Sequence, residues 1–284
     1  MNRIIMLCSF LLSLSIYAQK IDNYKPIALD GFYTNPVYSP TGEFVLLTGE
    51  HLKGVYLLEL KNNSVKQISD KDGSGYAYSW DKSGDSFYFK EKPEGEYFSN
   101  SEVVSYNVRN YSKQKLAISH NFLPSYNTTV KGDNSQIVIY TDLSTLKIEA
   151  MDLETSRHWT VTNDEGQFYN ALLSNDRQKV AVHNGADIYI YTIDGKSKGQ
   201  KIGTGIATAW SADDRFLIGF LDESKDGHTV SNSELYVFDV RTAITKKISN
   251  TESIAEMFPS VYKDQVIFSD DKSGTLFTAT LNLK

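Results

Sequence analysis

The chain has 284 residues, 40% of them hydrophobic, with 18 Tyr, 14 Phe and only 6 Pro, and a formal charge of −6. No basic stripe stands against that mild acidity, so the electrostatic footprint of a nucleic-acid binder is absent. Aromatic and β-branched residues are plentiful and long helix-like stretches are missing, which favours pleated, half-buried surfaces and an all-β fold.

The amino end, "MNRIIMLCSFLLSLSIYAQK", sets Arg3 before an apolar run from Ile4 to Ile16, followed by small Ala18 and polar Gln19 and Lys20. That is the layout of a secretory signal over residues 1–18, and the run is too short for a comfortable membrane span. A secreted or periplasmic location is expected. Cys8, the single cysteine, lies inside the signal, so the expected mature chain has no thiol or disulfide chemistry. Loss of Arg3 with the signal moves the formal charge from −6 to −7.

Next comes "YKPIALD", residues 24–30, whose outline matches the polar fourth strands found further on. A repeat then begins. "NPVYSPTGEFVLLTGE", "YAYSWDKSGDSFYFKE" and "ATAWSADDRFLIGFLD" each give a short strand, a turn rich in Ser, Gly and Asp, and a more apolar strand. "YNTTVKGDNSQIVIYTD", "YNALLSNDRQKVAVHN" and "PSVYKDQVIFSDD" are weaker copies. The turn residues Gly42, Gly84, Asn134, Arg177, Asp214 and Asp264 recur at roughly 40 to 50 residues, the period of a propeller blade.

A third strand alternates in each unit ("VYLLEL", "VVSYNV", "KIEAMDL", "IYIYTI", "LYVFDV", "LFTATL"), with polar Glu59, Asn107, Asp152 and Asp239 near its end. A more polar fourth strand follows in five units: "VKQIS", "QKLAIS", "HWTVT", "GQKIG" and "TKKIS". The sixth unit ends after its third strand. Residues 24–30 are therefore expected to pair antiparallel with residues 276–281, supplying the missing strand and removing a free sheet edge. The expectation is one six-bladed β-propeller domain over residues 19–284, its last blade closed by the N-terminal strand.

Turns such as "SPTGEF" and "SADDRF", each followed by hydrophobic-Tyr-hydrophobic strands, resemble the TolB-type (WD40-like) six-bladed propeller repeat. Similar blades form the propeller of the prolyl oligopeptidase and dipeptidyl peptidase class. The resemblance covers nearly all of residues 19–284 and implies the fold; of function it implies only that a protein segment is a plausible partner, because the fold hosts many unrelated activities.

"DKDGSGYAYSWD", residues 70–81, carries Asp70, Asp72, Ser74 and Gly75 at calcium-loop spacing. An EF-hand needs a helix on each side, whereas strand patterns flank this loop, and its twelfth position is Asp81 in place of a bidentate Glu. It is read as the connection from the first blade to the second, and neither metal nor other cofactor is expected. The near-match "DESKDG" at residues 222–227 has Ser233 at its twelfth position and is read the same way.

None of the five histidines, His51, His120, His158, His183 and His228, has a partner at metal-pair spacing, and no G-x-S-x-G elbow occurs. His51, His183 and His228 fall in loops joining second to third strands, where solvated roles are expected. Adjacent carboxylates such as Asp213–Asp214 and Asp270–Asp271 sit on turns and diverge.

An aromatic set stands on the inter-blade connections: Phe32 and Tyr33, Tyr76 and Tyr78, Phe122 and Tyr126, Phe168 and Tyr169, and Phe258. Rings there either pack between blades, as expected of Tyr38, Trp80 and Trp210, or ring one mouth of the channel, overhung by the loops 90–101 and 221–233. Tyr33, Tyr78, Tyr126, Tyr169 and Phe258 are the candidate binding residues. The expected function is a monomeric, non-catalytic propeller binding a protein segment or a cell-surface glycan. The alternative is a propeller lyase or glycosidase working from channel residues, with His51, His183, Asp142 and Asp222 as candidates.

Overall fold

The computed structural model describes residues 19–81, 83–92, 101–116, 137–142, 144–152 and 155–283; the signal-like segment and Tyr126 lie outside them. The described residues form six antiparallel sheets, five of them four-stranded and one three-stranded; five are simple meanders of consecutive strands, and the sixth takes its outer strand from the N-terminal end of the described chain. Numbered in chain order, blade 1 runs from Thr34–Tyr38 to Ser64–Ser69 and blade 2 from Tyr78–Trp80 to Lys113–Lys115. Blade 3 shows Ile137–Asp142, Lys147–Asp152 and His158–Thr160; its expected inner strand lies outside the described residues. Blade 4 runs from Tyr169–Leu173 to Gln200–Thr204, and blade 5 from Ile206–Trp210 to Thr245–Lys247. Blade 6 comprises Glu256–Tyr262, Gln265–Asp270 and Leu276–Asn282, completed by Lys20–Pro26. This is an all-β, six-bladed propeller.

The closing strand pairs antiparallel with Leu276–Asn282, with Lys20 opposite Asn282 and Ile21 opposite Leu281. It begins four residues earlier than the sequence pattern suggested and ends at Pro26. The register slips between Asp22 and Lys25, where Asn23 takes a left-handed φ of 59°. Ile21 is buried among Phe216, Phe268 and Leu281, and its amide donates to the Ile248 carbonyl of blade 5 at 3.0 Å. The strand thus ties blade 6 to its neighbour as well as completing it.

The hydrophobic core is divided among the blade-to-blade contacts. Val45, Leu47, Leu58, Ile267 and Leu276 join blades 1 and 6, while Trp80, Phe87, Leu46 and Leu57 join blades 1 and 2. Each inner sheet is covered on both faces, so second strands such as Phe44–Thr48 and Gln265–Asp270 read as apolar runs. Indole nitrogens stitch the inner strands: Trp80 Nε1 donates to the Val37 carbonyl at 3.2 Å, and Trp210 Nε1 to the Leu172 carbonyl at 3.0 Å.

The repeated turns have one geometry. In blades 1, 4 and 5, the amides of Ser39, Ser174 and Ser211 donate to the carbonyls of Phe44, Lys179 and Phe216, and each serine hydroxyl accepts the returning amide. Asp81 does the same in blade 2. The fourth residue of each turn is left-handed: φ is 72° at Gly42, 75° at Gly84, 60° at Arg177 and 54° at Asp214. Blade 6 departs from the pattern, because its turn shrinks to two residues between Tyr262 and Gln265 and the left-handed residue is Lys263 rather than Asp264. Asn134, the blade 3 counterpart, lies outside the described residues.

The polar residues ending the third strands cap hairpins. Asn107 Oδ1 accepts the amides of Arg109 and Asn110, and Asp239 Oδ1 accepts those of Arg241 and Thr242. Such side-chain acceptance of turn amides explains the repetition without any ligand.

Candidate functional site at the channel mouth

Inter-blade connections and the loops joining second to third strands share one face, the channel mouth. Four inner strands among the described residues bulge, that of blade 5 between Ala207 and Ala209 and the other three with a left-handed residue. Register shifts fall between Thr34 and Val37, Tyr169 and Leu172, and Met257 and Ser260, with left-handed φ of 50° at Asn35, 51° at Asn170 and 53° at Phe258. A bulge re-aims the side chains beside it. For a residue as bulky as Phe258 this backbone stores strain of about 1–3 kcal/mol.

The candidate rings separate into different environments. Tyr169 is 48% exposed, yet held: its hydroxyl donates to the Gly185 carbonyl at 2.6 Å, and its ring stacks on His183 at 5.6 Å and 27°. Tyr33 is half-buried, edge-on to Tyr56 at 5.3 Å, and its backbone amide reaches the Gly274 carbonyl of blade 6. Burial raises its phenol pKa, helped by Tyr56 and Asp30. Phe258 is partly buried against Phe220 at 5.1 Å. Tyr78 is buried, its hydroxyl donating to the Asn35 carbonyl and its pKa raised well above the phenol range by desolvation. It alternates with Trp80 in an unbulged strand and presents no face to a ligand. Tyr76, on the adjoining connection, is 78% exposed. The hydroxyls of the candidate residues Tyr78 and Tyr169 are thus committed to backbone carbonyls.

His183, expected in a solvated loop, lies in the strand Lys179–Asn184 and is 1% exposed. Its Nε2 accepts the Ala207 amide of blade 5 at 3.0 Å, so the ring proton resides on Nδ1, where the Asn170 backbone is its hydrogen-bond partner. Burial lowers its pKa to about 4, against a smaller opposing contribution from a hydrogen bond with the Asn170 backbone. The Asn170 side-chain amide donates to the Ala207 carbonyl at 3.1 Å, so the two residues clamp blade 4 to blade 5.

The other acid–base candidates are occupied or exposed. Asp142 accepts the Ser144 amide and hydroxyl at 2.8 and 2.7 Å, and these bonds lower its pKa. His51 sits in an exposed turn, 3.7 Å from Glu50. Asp222 pairs with Ser233 in a hairpin that extends both strands into the expected 221–233 loop. At the hairpin tip, Asp226 accepts the amides of His228 and Thr229, which depress its pKa strongly. Of the other overhanging loop, residues 93–100 lie outside the described set.

In the calcium-like loop, the Ser74 hydroxyl donates to the Lys71 carbonyl at 2.8 Å and Asp72 pairs with Lys53 at 3.3 Å. Gly75 is buried so tightly that a Cβ would lie 1.8 Å from Thr48 Oγ1, and Asp81 caps the following turn through the Gly84 amide. The oxygens do not converge. Among the described residues, no group of three or more His, Cys, Asp or Glu is placed to hold a metal ion.

One titratable pair escaped the sequence. Ser249 Oγ lies 2.7 Å from Glu234 Oε2 and is also hydrogen-bonded to Glu256 Oε2. It further accepts the Leu235 amide at 2.7 Å. Lys247 Nζ lies 2.9 Å from Glu234 Oε1. Glu256 is fully buried, and desolvation, with the nearby Glu234 charge, raises its pKa to about 7. Nothing in the spacing of residues 234, 249 and 256 announces this junction between blades 5 and 6.

No protein-family model matches the chain, and no curated protein matches it in sequence. Its likeness is to solved structures. The β-propeller domain of Cps50 (Swd1) from Myceliophteria thermophila is 10% identical with a TM-score of 0.62, over 93% of this chain and 100% of that one. A putative TolB from Agrobacterium tumefaciens is 14% identical with a TM-score of 0.56, over 90% and 92%. TolB from Acinetobacter baumannii is 12% identical with a TM-score of 0.54 over 87% of this chain, which spans 54% of that protein. At these identities the likeness is one of fold: a TolB-like six-bladed propeller. No helix among the described residues is long and apolar enough to cross a membrane.

Proposed function

We propose that this chain is an exported, monomeric, non-catalytic propeller that holds an extended partner, a protein segment or a cell-surface glycan, across its channel mouth. The observation that carries the reading is Tyr169, whose nearly half-exposed ring is fixed from below by His183 and at its hydroxyl by Gly185. A ring already fixed before binding offers contact area at little conformational cost, which suits the face of a sugar or an extended peptide. Tyr33 and Phe258 complete the contact set among the described residues, with Tyr78 bonded to the Asn35 carbonyl; the candidate Tyr126 lies outside those residues. Supporting a non-catalytic role, His183 and Glu256, two buried groups with strongly displaced pKa values, are both engaged by the fold's own hydrogen bonds.

The test is saturable binding of the purified protein to peptide and glycan arrays, repeated with Tyr33→Ala/Tyr169→Ala. The double variant is expected to weaken the selected ligand by about 1–3 kcal/mol or more with melting nearly unchanged. Absence of saturable binding to either array, or turnover of the bound chain, overturns the proposal.

A further inference from the structure

Between blades 4 and 5, on the face opposite the mouth, the turns enclose a cavity of about 490 Å³. Small-molecule sites commonly measure roughly 300–1,000 Å³. Its floor is apolar, formed by the buried residues Ile190, Tyr191 and Val240. Its walls carry four cations, Lys179, Lys198, Arg215 and Arg241, and a single carboxylate, Asp214.

The charges do not cancel within the cavity. Asp214 is taken up by the neighbouring turn, accepting the Asn175 amide at 2.7 Å, its side-chain amide at 2.8 Å and the Asp176 amide at 2.7 Å. Arg215 is paired with Asp239 at 3.1 Å and lies over the Phe216 ring at 4.7 Å, and Lys179 is 3.4 Å from Asp176. Lys198 and Arg241 are both exposed; Lys198 interacts electrostatically with Asp164, and neither forms a close ion pair among the described residues. An apolar floor beneath a surplus of positive charge matches a ligand with an apolar body and an anionic head. The stems of the lysine and arginine side chains extend the apolar wall up to that head, and guanidinium groups favour the planar geometry of a carboxylate.

We propose that this cavity binds an amphiphilic organic anion, an acyl or aryl group carrying a carboxylate. The site is independent of the mouth: its residues come from turns at the other end of the strands.

Octanoate titrated into the purified protein by calorimetry is expected to bind saturably in the micromolar to millimolar range. Octanol, which lacks the charge, and inorganic phosphate, which lacks the apolar body, are expected to bind at least tenfold more weakly. Lys198→Gln/Arg241→Gln removes only exposed charges, so melting should be unchanged while octanoate affinity falls at least tenfold. The mouth variant Tyr33→Ala/Tyr169→Ala should bind octanoate as the parent does. Failure to saturate in the millimolar range, equal binding of octanol or phosphate, or parental affinity in the Lys198/Arg241 variant overturns the assignment. Loss of octanoate binding in the mouth variant alone would place the anion at the mouth and overturn it equally.

Discussion

Glu234 and Glu256, on strands of different blades, meet at one hydroxyl that has a single proton to give. Since Ser249 Oγ already accepts the Leu235 amide, one of its two carboxyl contacts must be donated from the carboxyl side. The proton belongs to Glu256, because Lys247 faces Glu234 and Glu256 is fully buried. Tyr24, on the closing strand, feels both carboxylates, and its pKa is raised by burial first and then by Glu256, Glu234 and Asp22.

The native state therefore keeps a proton that an unfolded Glu256 has lost. Stability contributed here is complete below about pH 4.5 and is lost as the pH rises through about 7. The loss is on the order of 3 kcal/mol. Glu256→Gln should remove this alkaline-side loss, raising the melting temperature at pH 8 relative to the parent and leaving it nearly unchanged at pH 4.5.

His183 works in the other direction. Its pKa is lowered from 6.5 to about 4, so the unfolded chain binds the extra proton first. Its contribution is present above about pH 6.5 and lost as the pH falls through 4, again on the order of 3 kcal/mol. His183→Gln, which keeps an acceptor for the Ala207 amide, should flatten the acid limb of stability measured by chemical denaturation.

The two windows overlap between about pH 4.5 and 6.5, where their slopes have opposite signs. The parent should show little net dependence from these groups across that interval. Glu256→Gln should gain stability with rising pH there, and His183→Gln should lose it. Parallel curves for the two variants would refute both assignments.

Ring closure is testable at Ile21. Ile21→Ala should cost about 2–5 kcal/mol, because the side chain is buried in the core shared by blades 5 and 6. Deleting residues 19–26 should expose the edge of Leu276–Asn282 and cause aggregation, measured by light scattering. A deletion variant that melts like the parent would show the pairing to be dispensable.

Trp210→Phe should leave the Leu172 carbonyl without its partner, costing about 1–3 kcal/mol beyond the lost ring area. Thermal unfolding of this variant beside Trp80→Phe should show similar losses, since Trp80 makes the same bond to Val37.

The fold was legible because its repeat is written in turn chemistry. Gly42, Gly84, Arg177 and Asp214 mark the left-handed turn residue in four blades, and the closing strand was displaced by only a few residues. The mouth was less legible for a definite reason. Period-two reading fails across the bulges at Asn35, Asn170 and Phe258, where an extra residue shifts which side chains face inward. In the unbulged strand the rule holds, and the spacing of Tyr78 and Trp80 already implied a shared environment. His183 and the Ser249 junction join residues from different blades, so neither had a local signature.

The pairing of Lys20 with Asn282 has a kinetic corollary. It joins strands separated by nearly the whole described chain, so among the strand pairings of the described residues it carries the largest loop-closure entropy. Blade 6 cannot be assembled in order of synthesis; its outer strand emerges first and waits for the other three. Refolding should consequently end with docking of residues 20–26, and pulse-labelled hydrogen exchange should find their amides, with those of Leu276–Asn282, among the last to become protected.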